Sequence, residues 1–254
     1  MIDTLRYTYI PLTLATIFLS TTLHAPSIAS EGLEKTQERS MESKELVSFW
    51  KSTIYSPKYS FSITPKIDNN IEKYVGKNTP LDNIHYIPED LIPIKNTYID
   101  ERGRKSKLRK EAAEQLWRLG EAFFSEFGTG LIVVSGYRSY SYQQQLLDRW
   151  CSPTLCAPPG HSEHQLGLAI DILEASTKEI YDTNPLYRKY YAWFKRNAHL
   201  YGYHQSYQRW SELDGYQIEP WHWRYLGVTL ATQLSELGWT YGEYNEFQTY
   251  LSSK

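Results

Sequence analysis

The chain has 254 residues, is 41% hydrophobic and 22% charged, and carries 15% aromatics, among them 22 Tyr and 8 Trp. That composition supports a buried core and excludes disorder over most of the length. With 27 Lys plus Arg against 29 Asp plus Glu, the formal net charge is -2, which gives no electrostatic reason to expect nucleic acid or an anionic membrane surface as the main partner.

Residues 1–29 begin with modest positive charge at Arg6, continue with an apolar stretch from about Tyr7 to Leu23, and end on Ser27-Ile28-Ala29, with small residues where a signal peptidase reads. This is the three-part pattern of a secretory signal peptide. The rival is an uncleaved membrane anchor. Pro11 and the interspersed Thr and Ser leave that run weak for a span, which needs ~20 apolar residues. Export to a periplasm or cell envelope is therefore expected, as a monomer with no other membrane contact. Residues 30–74 are polar and mixed in charge (Glu31, Glu34, Lys35, Glu38, Arg39) and read as an extension or tether.

A compact domain is expected over residues 75–240, with 241–254 as a C-terminal tail. Pro80, Pro88 and Pro93 make its first segment extended. A helix is predicted from about Ser106 to Phe127, because Leu108, Ala112, Leu116, Leu119, Phe123 and Phe127 share one face and Gly128 ends it. Leu131–Val134 reads as a buried strand, and Ser139 or Ser141 caps a second helix through Gln143–Trp150. Cys151 and Cys156 are the only cysteines, and an even count in an exported chain predicts a disulfide. Leu168–Leu173 is a strand, Pro185–His199 a helix, Trp221–Tyr225 a strand and Gly227–Leu237 a helix. The irregular alternation favours an α+β fold, a small, mainly antiparallel sheet flanked by helices.

Two stretches carry chemistry. Ser162-Glu163-His164-Gln165-Leu166-Gly167-Leu168-Ala169-Ile170-Asp171 places a His and an Asp on either side of a Gly-containing turn, and Glu219-Pro220-Trp221-His222 places a second His three residues after a Glu. Two imidazoles and one carboxylate are a common set for catalytic zinc, with one position left open. A free Glu beside them suits hydrolysis, taking a proton from water and handing it to the leaving amine. Each piece alone is weak: a lone His is more often packed than ligating, and Asp171 could be a hydrogen-bonded core carboxylate. His161, three residues before His164, could be mistaken for an extra ligand.

Four runs in order, Leu-Arg-Lys-Glu-Ala-Ala from Leu108, Ser-Gly-Tyr-Arg-Ser-Tyr from Ser135, Pro-Gly-His-Ser-Glu-His-Gln-Leu-Gly-Leu-Ala-Ile-Asp from Pro159 and Glu-Pro-Trp-His-Trp-Arg-Tyr from Glu219, are similar to the VanY-type D-alanyl-D-alanine carboxypeptidases. These belong to the larger group of lysostaphin-like, D-Ala-D-Ala-cleaving and hedgehog-like zinc peptidases. The resemblance spans about residues 75–240. It implies His164, Asp171 and His222 as ligands of Zn2+ and Glu219 as catalytic base. It implies Arg138 as a catalytic and substrate-binding group, Gln143 and Ser162 as residues lining the peptide site, and Trp221 as a wall beside the metal. The implied reaction is removal of the C-terminal D-alanine from peptidoglycan stem peptides. An L,D-carboxypeptidase trimming tetrapeptide stems, or a wall-binding module that keeps the metal without turnover, are the alternatives.

Overall fold

The computed structural model describes Tyr59, Phe61 and residues 67–152, 155–175, 177–208 and 215–253. The expected signal-peptide segment, residues 1–29, and all of residues 30–66 except Tyr59 and Phe61 lie outside the described residues. Among the described residues no helix is long and apolar enough to cross a membrane.

The elements in chain order are β1 (Leu91–Pro93), β2 (Ile99–Asp100), β3 (Lys107–Arg109), α1 (Lys110–Phe127), β4 (Leu131–Ser135) and α2 (Tyr140–Arg149). A 3-10 turn at Glu163–Leu166, β5 (Ala169–Ile172), α3 (Lys178–Thr183), α4 (Pro185–Asn197) and a second 3-10 turn at Ala198–Tyr201 follow. The chain ends with β6 (Tyr203–Gln205), β7 (His222–Tyr225), α5 (Val228–Leu237) and α6 (Tyr241–Ser252). Five strands form one sheet in the order β2-β4-β5-β7-β6, antiparallel except for the parallel β2–β4 pair. The α+β class with a small, mainly antiparallel sheet is the observed one.

Strand alternation divides the sheet's labour. Ile170 and Ile172 of β5 and Trp223 and Tyr225 of β7 belong to the buried core with Ala112, Leu116, Leu119 and Phe123 of α1. Aromatic rings from α4 close this layer, with Phe123 4.9 Å from Tyr190 and Phe194 5.2 Å from Trp223. The intervening residues, Asp171 on β5 and His222 and Arg224 on β7, occupy the other face. The site and the core therefore use opposite faces of the same two strands.

The first helix starts later than its periodicity suggests. Lys107–Arg109 pairs with Leu91–Pro93, and the amides of Arg109 and Lys110 donate to Gly167 O and Asp90 O. Leu108 is fully buried, so its apolar character is spent on a strand, and four-residue spacing to Ala112 could not distinguish the two. Ser139, not Ser141, caps α2, accepting from the Tyr142 amide.

Both ends of the expected domain need correction. Residues 67–74, placed in the tether, are built in: Asp68 and Lys73 are buried, and Lys73 Nζ lies 2.8 Å from Asp82. Residues 241–254, read as a tail, contain helix α6, whose Tyr241, Tyr244 and Phe247 are buried. Thr240 and Glu243 form a reciprocal capping box at its start. The tyrosines dilute its hydropathy while their rings supply the buried face.

Candidate metal centre

Strand register brings the first two groups together. Asp171 is the direct cross-strand partner of His222 in the antiparallel β5–β7 pair, where side chains stand ~4.5–5.5 Å apart at Cβ. Asp171 Oδ1 is 3.2 Å from His222 Nδ1. The third group arrives by the turn. His164 sits in the 3-10 turn capped by Ser162, whose hydroxyl accepts from the His164 amide. Gly167 ends the turn at φ 67°, and its amide donates to His164 O. His164 Nε2 then lies 3.3 Å from Asp171 Oδ1.

Gly167 has no room for a side chain. An added Cβ would stand 2.8 Å from Leu91 Cδ2 and 3.2 Å from Arg109 Cγ. Gly167→Ala is expected to lose at least the ~1–2 kcal/mol of the left-handed backbone penalty, with further loss from the clash, read as a lower midpoint in chemical denaturation. An undiminished midpoint would refute the turn argument. Gly136 is constrained differently: a Cβ there would meet Lys107 O at 2.6 Å. Its bare backbone lets the chain leaving β4 run close enough for Gly136 O to accept from His164 Nδ1 at 2.7 Å.

One ligand atom from each of His164, Asp171 and His222 lies within 4.8 Å of the others. Their protonation is fixed from behind. Gly136 O can only accept, so His164 Nδ1 carries the proton and Nε2 the lone pair. That Nε2 is buried and has no hydrogen-bond partner. Glu163 Oε2, 2.7 Å from His222 Nε2, likewise makes that nitrogen the donor and turns Nδ1 toward Asp171. The two nitrogen–oxygen distances, 3.2 and 3.3 Å, are close to the ~3.3 Å edge of a tetrahedron with ~2.0–2.1 Å bonds, as zinc makes. Two imidazole nitrogens and a carboxylate oxygen gathered in this way suit a divalent cation.

The electrostatics agree. Burial, reinforced by Arg138, pushes His164 down to about 4, so its imidazole is neutral at neutral pH. Burial raises the Asp171 carboxyl, but His164, His222 and Arg138 outweigh it and hold it well below its ordinary range. Burial lowers His222, yet hydrogen bonds to Asp171 and Glu163 lift it to about 10. A nitrogen that holds a proton so tightly between two carboxylates sits in a strong field for cations, and a metal ion would compete for the same lone pair.

Glu219 lines the same cleft as Arg138, Gln143, Ser162, His164 and His222. Its backbone is clamped, the amide to Tyr207 O and the carbonyl by the amides of His222 and the Gln205 side chain. Burial raises the Glu219 carboxyl to about 7, the range in which a general base works best. In metal-free protein, Glu219 should therefore titrate near 7 in a carboxyl-resolved NMR experiment, and a cation at the three ligands should lower that value. Unchanged titration on metal addition would separate Glu219 from the centre. Since a base must be ionised, activity should fall as pH drops through the metal-loaded value.

Arg138 reaches Asp171 Oδ2 at 3.4 Å through Nη2, while its buried Nε has no hydrogen-bond partner. Gln143 is buried and anchored by its amide to Ala157 O at 2.8 Å, leaving its carbonyl oxygen unpaired. Trp221 is not among the cleft's lining residues; its ring stands 6.2 Å from Tyr181. Cys151 and Cys156 are disulfide-bonded, and Leu155, Cys156 and Ala157 form part of the cleft wall. His161 is turned away, with Nδ1 on Gly76 O.

The sequence reading missed Glu163, Ser206 and Tyr207. Ser206 donates to Glu163 Oε2 at 2.7 Å, and the Tyr207 ring stacks on His222 at 4.7 Å with a 24° interplanar angle. No spacing marks them, because each acts through a residue far away in the chain.

The family model described as VanY, D-alanyl-D-alanine carboxypeptidase, matches residues 105–228. The YodJ protein of Bacillus subtilis (strain 168) is 36% identical over 188 residues, covering 70% of this chain and 67% of YodJ. Among solved structures, the LdcB LD-carboxypeptidase aligns with a TM-score of 0.60 at 29% identity, over 74% of this chain and 93% of LdcB. A mutant of the vancomycin-resistance D,D-pentapeptidase VanY in complex with Zn(II) aligns with a TM-score of 0.52 at 28% identity, over 67% of this chain and 96% of that one.

Proposed function

This chain belongs to the VanY-type D-alanyl-D-alanine carboxypeptidase family, and from that premise we propose that it is an exported zinc carboxypeptidase removing the terminal D-alanine from peptidoglycan stem peptides that end in D-Ala-D-Ala. The observation that carries the reading is the buried, unpaired Nε2 of His164 facing Asp171 and His222, with Glu219 lining the same cleft. His164, Asp171 and His222 hold the ion. Zinc there supplies Lewis acidity toward water and a peptide carbonyl.

The remaining work belongs to side chains. Glu219 accepts a proton from the water whose oxygen attacks the scissile carbonyl carbon. As the C–N bond breaks, it delivers that proton to the departing amine nitrogen. Arg138, permanently charged and planar, binds an anionic oxygen of the substrate through its unpaired Nε and its outer nitrogens. Gln143 offers its carbonyl oxygen to a substrate N–H, and Ser162 lines the same wall. We assign no substrate contact to Trp221. The disulfide supports an oxidising location.

The second reading, an L,D-carboxypeptidase, draws on the similarity to the LdcB LD-carboxypeptidase. Purified protein offered defined pentapeptide and tetrapeptide stems, with and without a chelator, separates the two. Release of D-alanine from the pentapeptide that stops on chelation is the expected result. Release from the tetrapeptide alone would establish the second reading, and no release from either would leave a binding module.

A further inference from the structure

Glu163 is a carboxylate without a substrate to meet. It is 2% exposed, and its Oε2 takes both His222 Nε2 and Ser206 Oγ, each at 2.7 Å. Behind it stands Arg224, wholly buried, with Nη1 3.6 Å from Glu163 Oε1. Arg224 lies two residues beyond His222 on β7, so strand alternation puts both on one face. Its other nitrogens are committed to the backbone: Nη2 to Ile71 O at 2.7 Å and Lys73 O at 3.2 Å, Nε to Tyr225 O at 3.0 Å. The guanidinium also lies 5.7 Å from the Tyr241 ring centroid. Ile71, Lys73 and Tyr241 all fall outside the stretch matched by the family model.

We propose that Glu163, held by Arg224, is a positioning residue for metal binding: it fixes the proton of His222 on Nε2 and so presents Nδ1 to the ion. Through Arg224, the same pair ties that ligand to segment 71–73 and to helix α6. A buried pair is a poor source of stability, since desolvation cancels much of its attraction. What it supplies here is direction. An imidazole that can rotate or change tautomer offers a metal wrong arrangements as well as the right one, and a carboxylate behind the ring disfavours them.

The inference rests on the metal reading above, and its test is independent of any substrate. Glu163→Gln keeps shape and removes charge. Zinc affinity, measured by competition with a chromophoric chelator, is expected to weaken ~10–100-fold, and the metal-free variant should also melt lower, because Arg224 is left buried without its counter-charge. Affinity within twofold of the parent would overturn the role. Should the variant fail to fold, long-range proton–nitrogen NMR of the zinc-loaded parent decides the matter. The proton is expected on Nε2 of His222 and on Nδ1 of His164; a His222 protonated on Nδ1 overturns the proposal. A parent protein that takes up no zinc would instead sink the metal reading itself.

Discussion

Glu219→Gln should keep the metal and lose ~10²–10⁴-fold in kcat, the usual contribution of a positioned general base. The amide has the shape of the carboxylate and none of its proton affinity. Nothing in the ligand set changes, so metal content by elemental analysis should match the parent. The substitution also carries a stability signature of opposite sign. Burial raises the Glu219 carboxyl from 4.5 to about 7. The unfolded chain therefore ionises first as pH rises. Stability associated with this group is full below 4.5, declines between 4.5 and about 7, and stays low above. The shift corresponds to on the order of 3 kcal/mol. Above pH 7 the metal-free variant should unfold at a higher temperature than the metal-free parent. A variant that hydrolyses at the parent rate would remove Glu219 from the chemistry, and one that melts lower at high pH would contradict its buried setting.

His164→Ala should abolish hydrolysis by a different route. It removes one of three ligands, so metal affinity should fall by more than the ~10–100-fold seen when an outer partner is lost. Elemental analysis after dialysis should find the variant empty under conditions that leave the parent loaded. The fold should survive, because the apolar core lies on the opposite side of the sheet from His164. The local loss is the bond to Gly136 O, with a cost of ~1–3 kcal/mol for leaving a buried acceptor unpaired. Circular dichroism of the metal-free variant should match the parent. Full metal occupancy with full activity would dismantle the centre as described.

The sequence carried the centre better than its surroundings. His164 and Asp171 flank a turn whose glycine is visible in the chain, and His222 follows Glu219 at close range, so four residues in two short runs suffice to suggest a hydrolytic ion site. Their convergence was not readable, because it depends on β5 pairing with β7 in the register that sets Asp171 opposite His222. Glu163 was adjacent to a proposed ligand and still escaped notice. Its partners, Ser206 just after β6 and Arg224 on β7, are distant in sequence. Among the helices, α1 betrayed itself by apolar spacing, although its first turn proved to be a strand. Helix α6 announced its start through Thr240 and Glu243, but its buried face is largely tyrosine, which hydropathy undervalues. Trp221, which the resemblance implies as a wall beside the metal, is not among the residues that line this cleft.

The pairing of Asp171 with His222 spans 51 residues of chain. An unfolded chain cannot hold those groups together with His164, so the ion would discriminate sharply between native and denatured forms. Loading then acts as a thermodynamic brake on unfolding, worth ~2.7 kcal/mol when free ion stands at a hundred times its dissociation constant. Scarcity of the ion would thus cost the protein durability as well as turnover.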